Sequence, residues 1–136
     1  GGPWGRREVA RAQELVDSRV ADWKIKLPDT VADMASSGAI VLSGRAVPVT
    51  DVDLRLIGMV FTRDGDVVAI GAGAAALGDP AAAVAWLVRT LHGLGDSLKA
   101  GSVVMTGALH AAVPVQAGET YRAEFDRLGP VTVRIV

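Results

Sequence analysis

Cysteine is absent from the 136 residues. That excludes disulfides and thiolate metal sites, and it fits a cytoplasmic protein. Aromatic residues make up only 4% against 50% hydrophobic residues overall, so alanine, valine and leucine must fill the core. Neither sign of charge dominates: Lys plus Arg is 14, Asp plus Glu is 15, and the formal net charge is −1. Without a basic excess no nucleic-acid partner is expected, and no acidic tail points to a charged partner. No apolar run reaches membrane-span length, because GAGAAALGDPAAAVAWLV is broken by Gly, Asp and Pro, so no membrane partner is expected either. No signal peptide is visible. An initiator methionine is also missing. The opening GGPWGRREVA reads as a processed end, a cloning scar or the start of a fragment. Residues 1–5 are therefore given no role in the fold, and residues 1–11 are treated as an atypical N-terminal segment.

What is present suits one domain or a piece of one, long enough to bury a core. RREVARAQELVDSRVADW has Val9, Ala12, Gln13, Val16 and Val20 near helical spacing, which predicts a short helix; the alternative is a strand entering at Glu14–Val16. Pro28 interrupts any regular element after it. Residues 39–44, AIVLSG, read as a buried strand closed by Gly44, and RAVPV as a short extended edge piece. DLRLIGMVFTRDGDVVAIGAG predicts a hairpin around Asp64-Gly65. Its first strand carries apolar residues on both faces, so cover on both sides is expected. Asp79 and Pro80 open a helix over residues 79–94, with Val84, Leu87, Val88, Leu91 and Leu94 as its apolar stripe and Gly93 and Gly95 as stops. SVVMTGAL, residues 102–109, predicts a buried strand ending in a polar corner, and the C-terminus predicts a hairpin around residues 126–129. Strands, one main helix, then strands make a β-rich α+β domain.

Several motifs carry little chemistry. GAGAAALG lacks the G-x-G-x-x-G spacing and a P-loop lysine, so its small residues are expected to serve close packing. His92 is expected at the helix surface, and His110, after the Gly107 corner, is a candidate for a pocket wall. No H-x-x-x-H or H-E-x-x-H pattern links the two histidines, and no G-x-S-x-G elbow exists.

The charged stretch from Glu14 to Asp33 is the chemical candidate. Glu14, Asp17, Asp22, Asp29 and Asp33 offer oxygen ligands for a hard cation such as Mg²⁺. Lys24 and Lys26 suit a substrate carboxylate or the tuning of a neighbouring acid. Trp23, Ile25, Val31 and Ala32 lie between the charges, which predicts partial burial, and a buried charge must be paired or metal-bound. Thr106-Gly107 offers a second polar corner to the same site.

At these residues the chain resembles a known family. ELVDSRVADWKIKLPDTVADMASSG, GAAALGDPAAAVAWLVRTLHGLG, LKAGSVVMTGAL and VPVQAGETYRAEFDRLGPVTVRIV run in the order seen in 2-keto-4-pentenoate hydratases, a pattern shared by 4-oxalocrotonate decarboxylases. Both belong to the fumarylacetoacetase superfamily, and the resemblance covers residues 12–136. It implies a mixed, β-roll or barrel-like sheet of the fumarylacetoacetase C-terminal type. It also implies a lyase in which Mg²⁺ or Mn²⁺ chelates a 2-oxo acid or dienoate while water adds. Carried over residue by residue, Glu14 matches the metal-binding glutamate. Asp17, Arg19, Asp22 and Lys24 match the D-S-R-x-x-D-W-K pattern, and Lys26 and Asp29 match the catalytic K-x-x-D spacing. The expected catalytic residues are therefore Lys26, Asp29 and Asp17. Ser36 or Ser37, Thr106 and His110 are the expected substrate contacts.

Two positions depart from the pattern. Met34 stands where TVADNAS has Asn, and His110 where GALT has Thr; each changes the polarity of the expected pocket wall. Members of this family are also about twice as long, and their first half carries an E-x-E metal pair that is absent here. Three readings follow: half of a hydratase-type site, as a fragment or split subunit; a shortened homologue with decarboxylase, isomerase or cyclase chemistry; or a non-catalytic interaction subunit. A homo-oligomer, or a partner chain supplying the missing metal ligands, is expected.

Overall fold

The computed structural model describes residues 8–136. Its regular elements run in the order β1 (Glu8–Val16), α1 (Leu27–Ala32), β2 (Ser37–Pro48), β3 (Gly58–Arg63), β4 (Asp66–Ala72), α2 (Pro80–Gly93), β5 (Thr120–Phe125) and β6 (Gly129–Arg134). All the strand pairs are antiparallel. β1 and β2 form a two-stranded ribbon, and the other four form a sheet in the order β4-β3-β5-β6. The ribbon leans against β6. This is the β-rich α+β architecture with one main helix that the sequence predicts.

The two hairpins form because their turns are local. Asp64 and Gly65 both take positive φ, 50° and 96°, the conformation that matches a tight turn to strand twist. The Asp64 carboxylate then accepts from the Thr120 amide at 2.9 Å, tying this turn to the start of β5. On β3 and β5 the side chains alternate across the sheet. Met59, Phe61, Tyr121, Ala123 and Val131 share the buried face and make the core, with Val41, Leu109, Val113 and Ile135 packed around them. Each such large apolar side chain contributes about 1.5–3 kcal/mol when fully buried.

α2 begins and ends as its sequence dictates. Asp79 accepts from the Ala81 amide at 2.8 Å and Pro80 takes the first turn. At the other end Gly95, at φ +78°, donates to the His92 carbonyl at 3.1 Å, and Asp96 donates to the Leu91 carbonyl at 2.9 Å. That pair of bonds is a Schellman stop, which needs a left-handed residue where Gly95 stands. Val84, Leu87 and Leu91 are half-buried, whereas Val88 and Leu94 of the predicted stripe are exposed.

Four expectations are corrected. Residues 8–16 form a strand, not a helix. Their near-helical spacing is overridden by pairing with β2 along the whole length of β1, the alternative already visible at Glu14–Val16. β2 runs through Gly44 to Pro48 and is mostly exposed, because among the described residues it pairs with β1 alone and only one face looks toward the core. Residues 102–109 form no strand, and Val103 and Met105 are exposed: among the described residues no strand supplies a ladder for them. β3 is covered on one face only, with Val60 exposed behind Met59 and Phe61. Residues 1–5 lie outside the described residues. Among the described residues no helix is long and apolar enough to cross a membrane.

Candidate functional site

The chain between β1 and β2 is shaped by backbone that other residues rarely tolerate. Asp22 and Trp23 have φ of 57° and 53°, and Met34, Ala35 and Ser36 have φ of 49°, 58° and 57°. A side-chain-bearing residue in this region costs on the order of 1–3 kcal/mol, so the surroundings must hold it there. The holding group is Asp33, which is buried. Its carboxylate accepts from Ser36 Oγ at 2.8 Å, the Arg19 amide at 3.2 Å, Arg19 Nη1 at 3.3 Å and Ser18 Oγ at 3.5 Å. Arg19 Nη2 also donates to the Ser37 carbonyl at 2.9 Å, and the Asp17 amide donates to the Ser36 carbonyl at 2.8 Å. These bonds close the loop from the end of β1 to the start of β2. Burial works against the charge on Asp33, but the Ser36 hydroxyl, the Arg19 amide and the Arg19 guanidinium outweigh it and hold the carboxyl below the usual carboxylate range.

Asp33 is therefore spent inside the protein and is not a free ligand. Asp22 is likewise paired, with Lys24 at 3.2 Å, in an exposed contact. The Asp29 carboxylate accepts from the Lys26 amide at 2.9 Å and so caps α1, while Pro28 sits in the first turn of that helix instead of breaking it. In contrast, the charged groups of Glu14, Asp17 and Lys26 are exposed and enter no ion pair among the described residues. Glu14 stands on β1 opposite Ile40. Asp17 follows the end of the strand, and the backbone of Gly38 lies against it: a Cβ on Gly38 would come within 3.1 Å of Asp17 Cβ.

The predicted partial burial of this stretch is corrected at most of its apolar positions. Ile25 is half-buried, but Trp23 and Ala32 are exposed, and Leu27, Val31 and Met34 are 77%, 73% and 72% exposed. The main contact of α1 among the described residues is the adjoining turn at residues 34–36.

The remaining candidates lie elsewhere. Ser36 is buried on Asp33, and Ser37 is half-buried with its carbonyl taken by Arg19. Thr106 is half-buried; Gly107 beside it, at φ +122°, faces Ala76. The His110 ring stacks on Phe61 with centroids 4.7 Å apart, and its Nδ1 lies 2.6 Å from the Ala111 carbonyl. A carbonyl only accepts, so Nδ1 carries the hydrogen there. No hydrogen bond among the described residues links Thr106 or His110 to residues 14–37. His92 is on the exposed surface of α2, as predicted. The GAGAAALG run does serve packing: a Cβ on Gly73 would stand 1.7 Å from the Leu54 carbonyl oxygen.

A divalent metal has only part of a site here. Among the described residues no three His, Asp or Glu side chains gather where one ion could be held. Mg²⁺ or Ca²⁺ takes six or more oxygen ligands, and Mg²⁺ keeps several as water. Glu14 and Asp17 supply two free carboxylates and do not complete such a set. Sequence reasoning missed the Asp33–Arg19–Ser36 network as a structural anchor. The signal available was the pairing of an S-R dipeptide with a D-x-x-S run on a loop.

Comparison with known proteins places this site in context. Residues 9–136 match the Fumarylacetoacetate (FAA) hydrolase C-terminal family. The chain is 46% identical over 123 residues to a 2-keto-4-pentenoate hydratase of Paraburkholderia xenovorans (strain LB400), covering 90% of this chain and 46% of that protein. It is 50% identical over 120 residues to a 2-keto-4-pentenoate hydratase of Burkholderia vietnamiensis (strain G4 / LMG 22486), covering 88% and 46%. A solved structure of 4-oxalocrotonate decarboxylase from Pseudomonas putida G7, complexed with magnesium and adipate, superposes with a TM-score of 0.90 at 40% identity, covering 95% of this chain and 49% of that one. The chain thus spans about half the length of the relatives it matches.

Proposed function

Because the chain belongs to the fumarylacetoacetate (FAA) hydrolase C-terminal family, we propose that it supplies one half of a lyase centre acting on a 2-hydroxy-dienoate or 2-oxo acid. The observation that carries this reading is a division of labour within residues 14–37. Arg19, Asp33 and Ser36 are consumed in holding a strained loop, while Glu14, Asp17 and Lys26 are held beside it with their charges unspent. Strain of this kind persists where a loop must present groups in a fixed place.

In this reading Glu14 would be a ligand of a Mg²⁺ or Mn²⁺ ion whose other protein ligands come from outside these 136 residues, on the same chain or on a partner. The ion supplies Lewis-acid stabilisation of negative charge developing on the substrate's 2-oxygen. Lys26 attracts the substrate carboxylate or moves a proton, Asp29 fixes Lys26 through its backbone amide, and Asp17 orients the neighbouring groups. Thr106, Ser37 and His110 meet the substrate once the centre is complete. The domain assignment is then residues 12–136 as the hydratase-like unit, working in the cytoplasm with a partner or as a homo-oligomer. The exposed apolar surface at Leu27, Val31, Met34, Val60 and Ile70 is what such an assembly would cover.

Decarboxylation is the second reading, favoured by the superposition on 4-oxalocrotonate decarboxylase. The test is Mn²⁺ binding and turnover by these 136 residues alone and paired with the segment or subunit that carries the remaining half. Water addition to 2-hydroxypenta-2,4-dienoate and CO₂ release from an oxalocrotonate separate the two reactions. The expected result is metal binding and turnover only in the pair, both lost on Glu14→Gln. Turnover by the lone chain would favour a shortened homologue with altered chemistry. An active pair indifferent to Glu14→Gln and Lys26→Ala would overturn the site assignment.

A further inference from the structure

We propose that Arg11 is a receptor for a carboxylate that comes from outside the described residues. Arg11 stands on β1 and is only 9% exposed. Its Nε is shut off from solvent and has no hydrogen-bond partner among the described residues. The guanidinium enters no ion pair among the described residues. Residues 1–7 contain no Asp or Glu, so no side chain there supplies the opposite charge. A guanidinium cannot escape the cost of burial by shedding its proton, and an unpaired buried charge is strongly unfavourable. The described residues thus leave one donor of the Arg11 guanidinium without a partner, and a carboxylate brought to it would meet both that donor and the charge.

The position is built, not accidental. The β1–β2 ladder shifts register twice, between Leu15 and Val16 and again where Ala10 pairs with Ala46 and Ala12 with Leu42, so that Arg11 faces the extra residues Ser43–Arg45. Irregularities of this kind re-aim a side chain. Arg11 is turned toward Gly129: the sole atom within 4 Å of where a Gly129 Cβ would stand is Arg11 Nη1, at 3.7 Å. Gly129 also lines an open trough of about 650 Å³ at the end of the four-stranded sheet, with Met59, Phe125, Arg127 and the acids Glu124 and Asp126, which are paired with Arg122 and Arg127. The guanidinium thus borders the trough across a residue with no side chain. A planar fork of donors at such a place suits a carboxylate, which it can meet with two parallel hydrogen bonds. The site stands apart from the proposed lyase centre, since Arg11 and Glu14 are of opposite parity on β1 and project to opposite faces.

The carboxylate has two candidate sources, a small free acid or an acidic side chain of a second copy of the chain. Acetate, with chloride at equal ionic strength as the control, probes the first by thermal unfolding and by the Arg11 Nε–H resonance. Sedimentation across a range of protein concentrations probes the second. For a free acid, acetate raises the unfolding midpoint and moves the resonance, and Arg11→Met abolishes the midpoint shift. For a side chain, the chain self-associates, acetate reverses the association, and Arg11→Met weakens it by about ten-fold or more. Arg11→Lys keeps the charge without the fork and recovers only part of either effect. The proposal is overturned if acetate acts no differently from chloride on the wild-type resonance and midpoint, and concentration moves neither. Those measurements need only the wild-type chain, so they decide the matter even where a variant fails to fold.

Discussion

Ser36 donates its hydroxyl hydrogen to the Asp33 carboxylate across 2.8 Å, and both residues are buried. The bond is made by a residue whose own backbone is left-handed, at φ 57°. Ser36→Ala removes the donor and leaves a methyl group in the same strained conformation, so a loss of about 1–3 kcal/mol in urea unfolding is expected. Ser36→Gly removes the same donor but relaxes the backbone, and should lose less. Equal losses for the two variants would mean that the loop stores no strain at Ser36.

Asp33 also sets an acid limit on the fold. Its carboxyl is held below the ordinary value of 3.8, because the hydrogen bonds from Ser36 and Arg19 and the Arg19 charge outweigh the cost of burial. The native state thus releases this proton more readily than the unfolded chain. The resulting stability is present above the unfolded value and is lost as pH falls through the folded one. Urea unfolding midpoints measured downward from about pH 5 should fall more steeply for the wild type than for Asp33→Asn. Parallel profiles would show that Asp33 carries no such linkage.

The small-residue run before α2 makes a sharp packing prediction. A Cβ at Gly73 would stand 1.7 Å from the Leu54 carbonyl oxygen, and one at Gly71 would stand 2.4 Å from the Leu109 carbonyl oxygen. Both obstacles are backbone and cannot rotate away. Gly73→Ala and Gly71→Ala should each cost about 3 kcal/mol or more. Gly44→Ala, with nothing within 4 Å of its Cβ position, should change thermal stability by less than about 1 kcal/mol. A benign Gly73→Ala would remove the packing account of the run.

The sequence showed elements whose causes lie close together along the chain. Asp64-Gly65 contains its own turn, and Asp79-Pro80 with Gly95 contains both ends of α2. The β1–β2 ribbon was less legible, because Val9, Ala12, Gln13 and Val16 mimic a helical period and their pairing partners are some thirty residues away. Burial of residues 102–109 was over-read for a related reason: apolar composition names a residue willing to be covered, not one that finds cover. In the candidate site, the pattern of charges offered five acids and two lysines alike, and only the family resemblance singled out Glu14 and Lys26. Asp33 looked like one more ligand, and only the fold reveals that Arg19 and Ser36 claim it. Arg11 carried no signal at all, since its isolation depends on what the rest of the chain fails to bring near it.

Tyr121 offers a test at the alkaline end. It is the chain's only tyrosine and is 1% exposed, stacked 5.7 Å from Phe61. Its hydroxyl lies against the Glu119 carboxylate and 3.1 Å from the Pro114 carbonyl oxygen. Burial pushes the phenol above its ordinary value of 10.0, and the Glu119 hydrogen bond and charge push it further, against a weaker opposing pull from Arg63. The unfolded chain ionises first as pH rises, so the stability this proton provides is intact below the unfolded value and drains away through the folded one. With one tyrosine present, phenolate absorbance reports this group alone. Its titration in the native protein should lie above that of the urea-unfolded chain, and Tyr121→Phe should flatten the decline of stability across the same range. Coincident native and unfolded titrations would mean that the phenol is solvated, and that the Tyr121–Glu119 contact does not persist in solution.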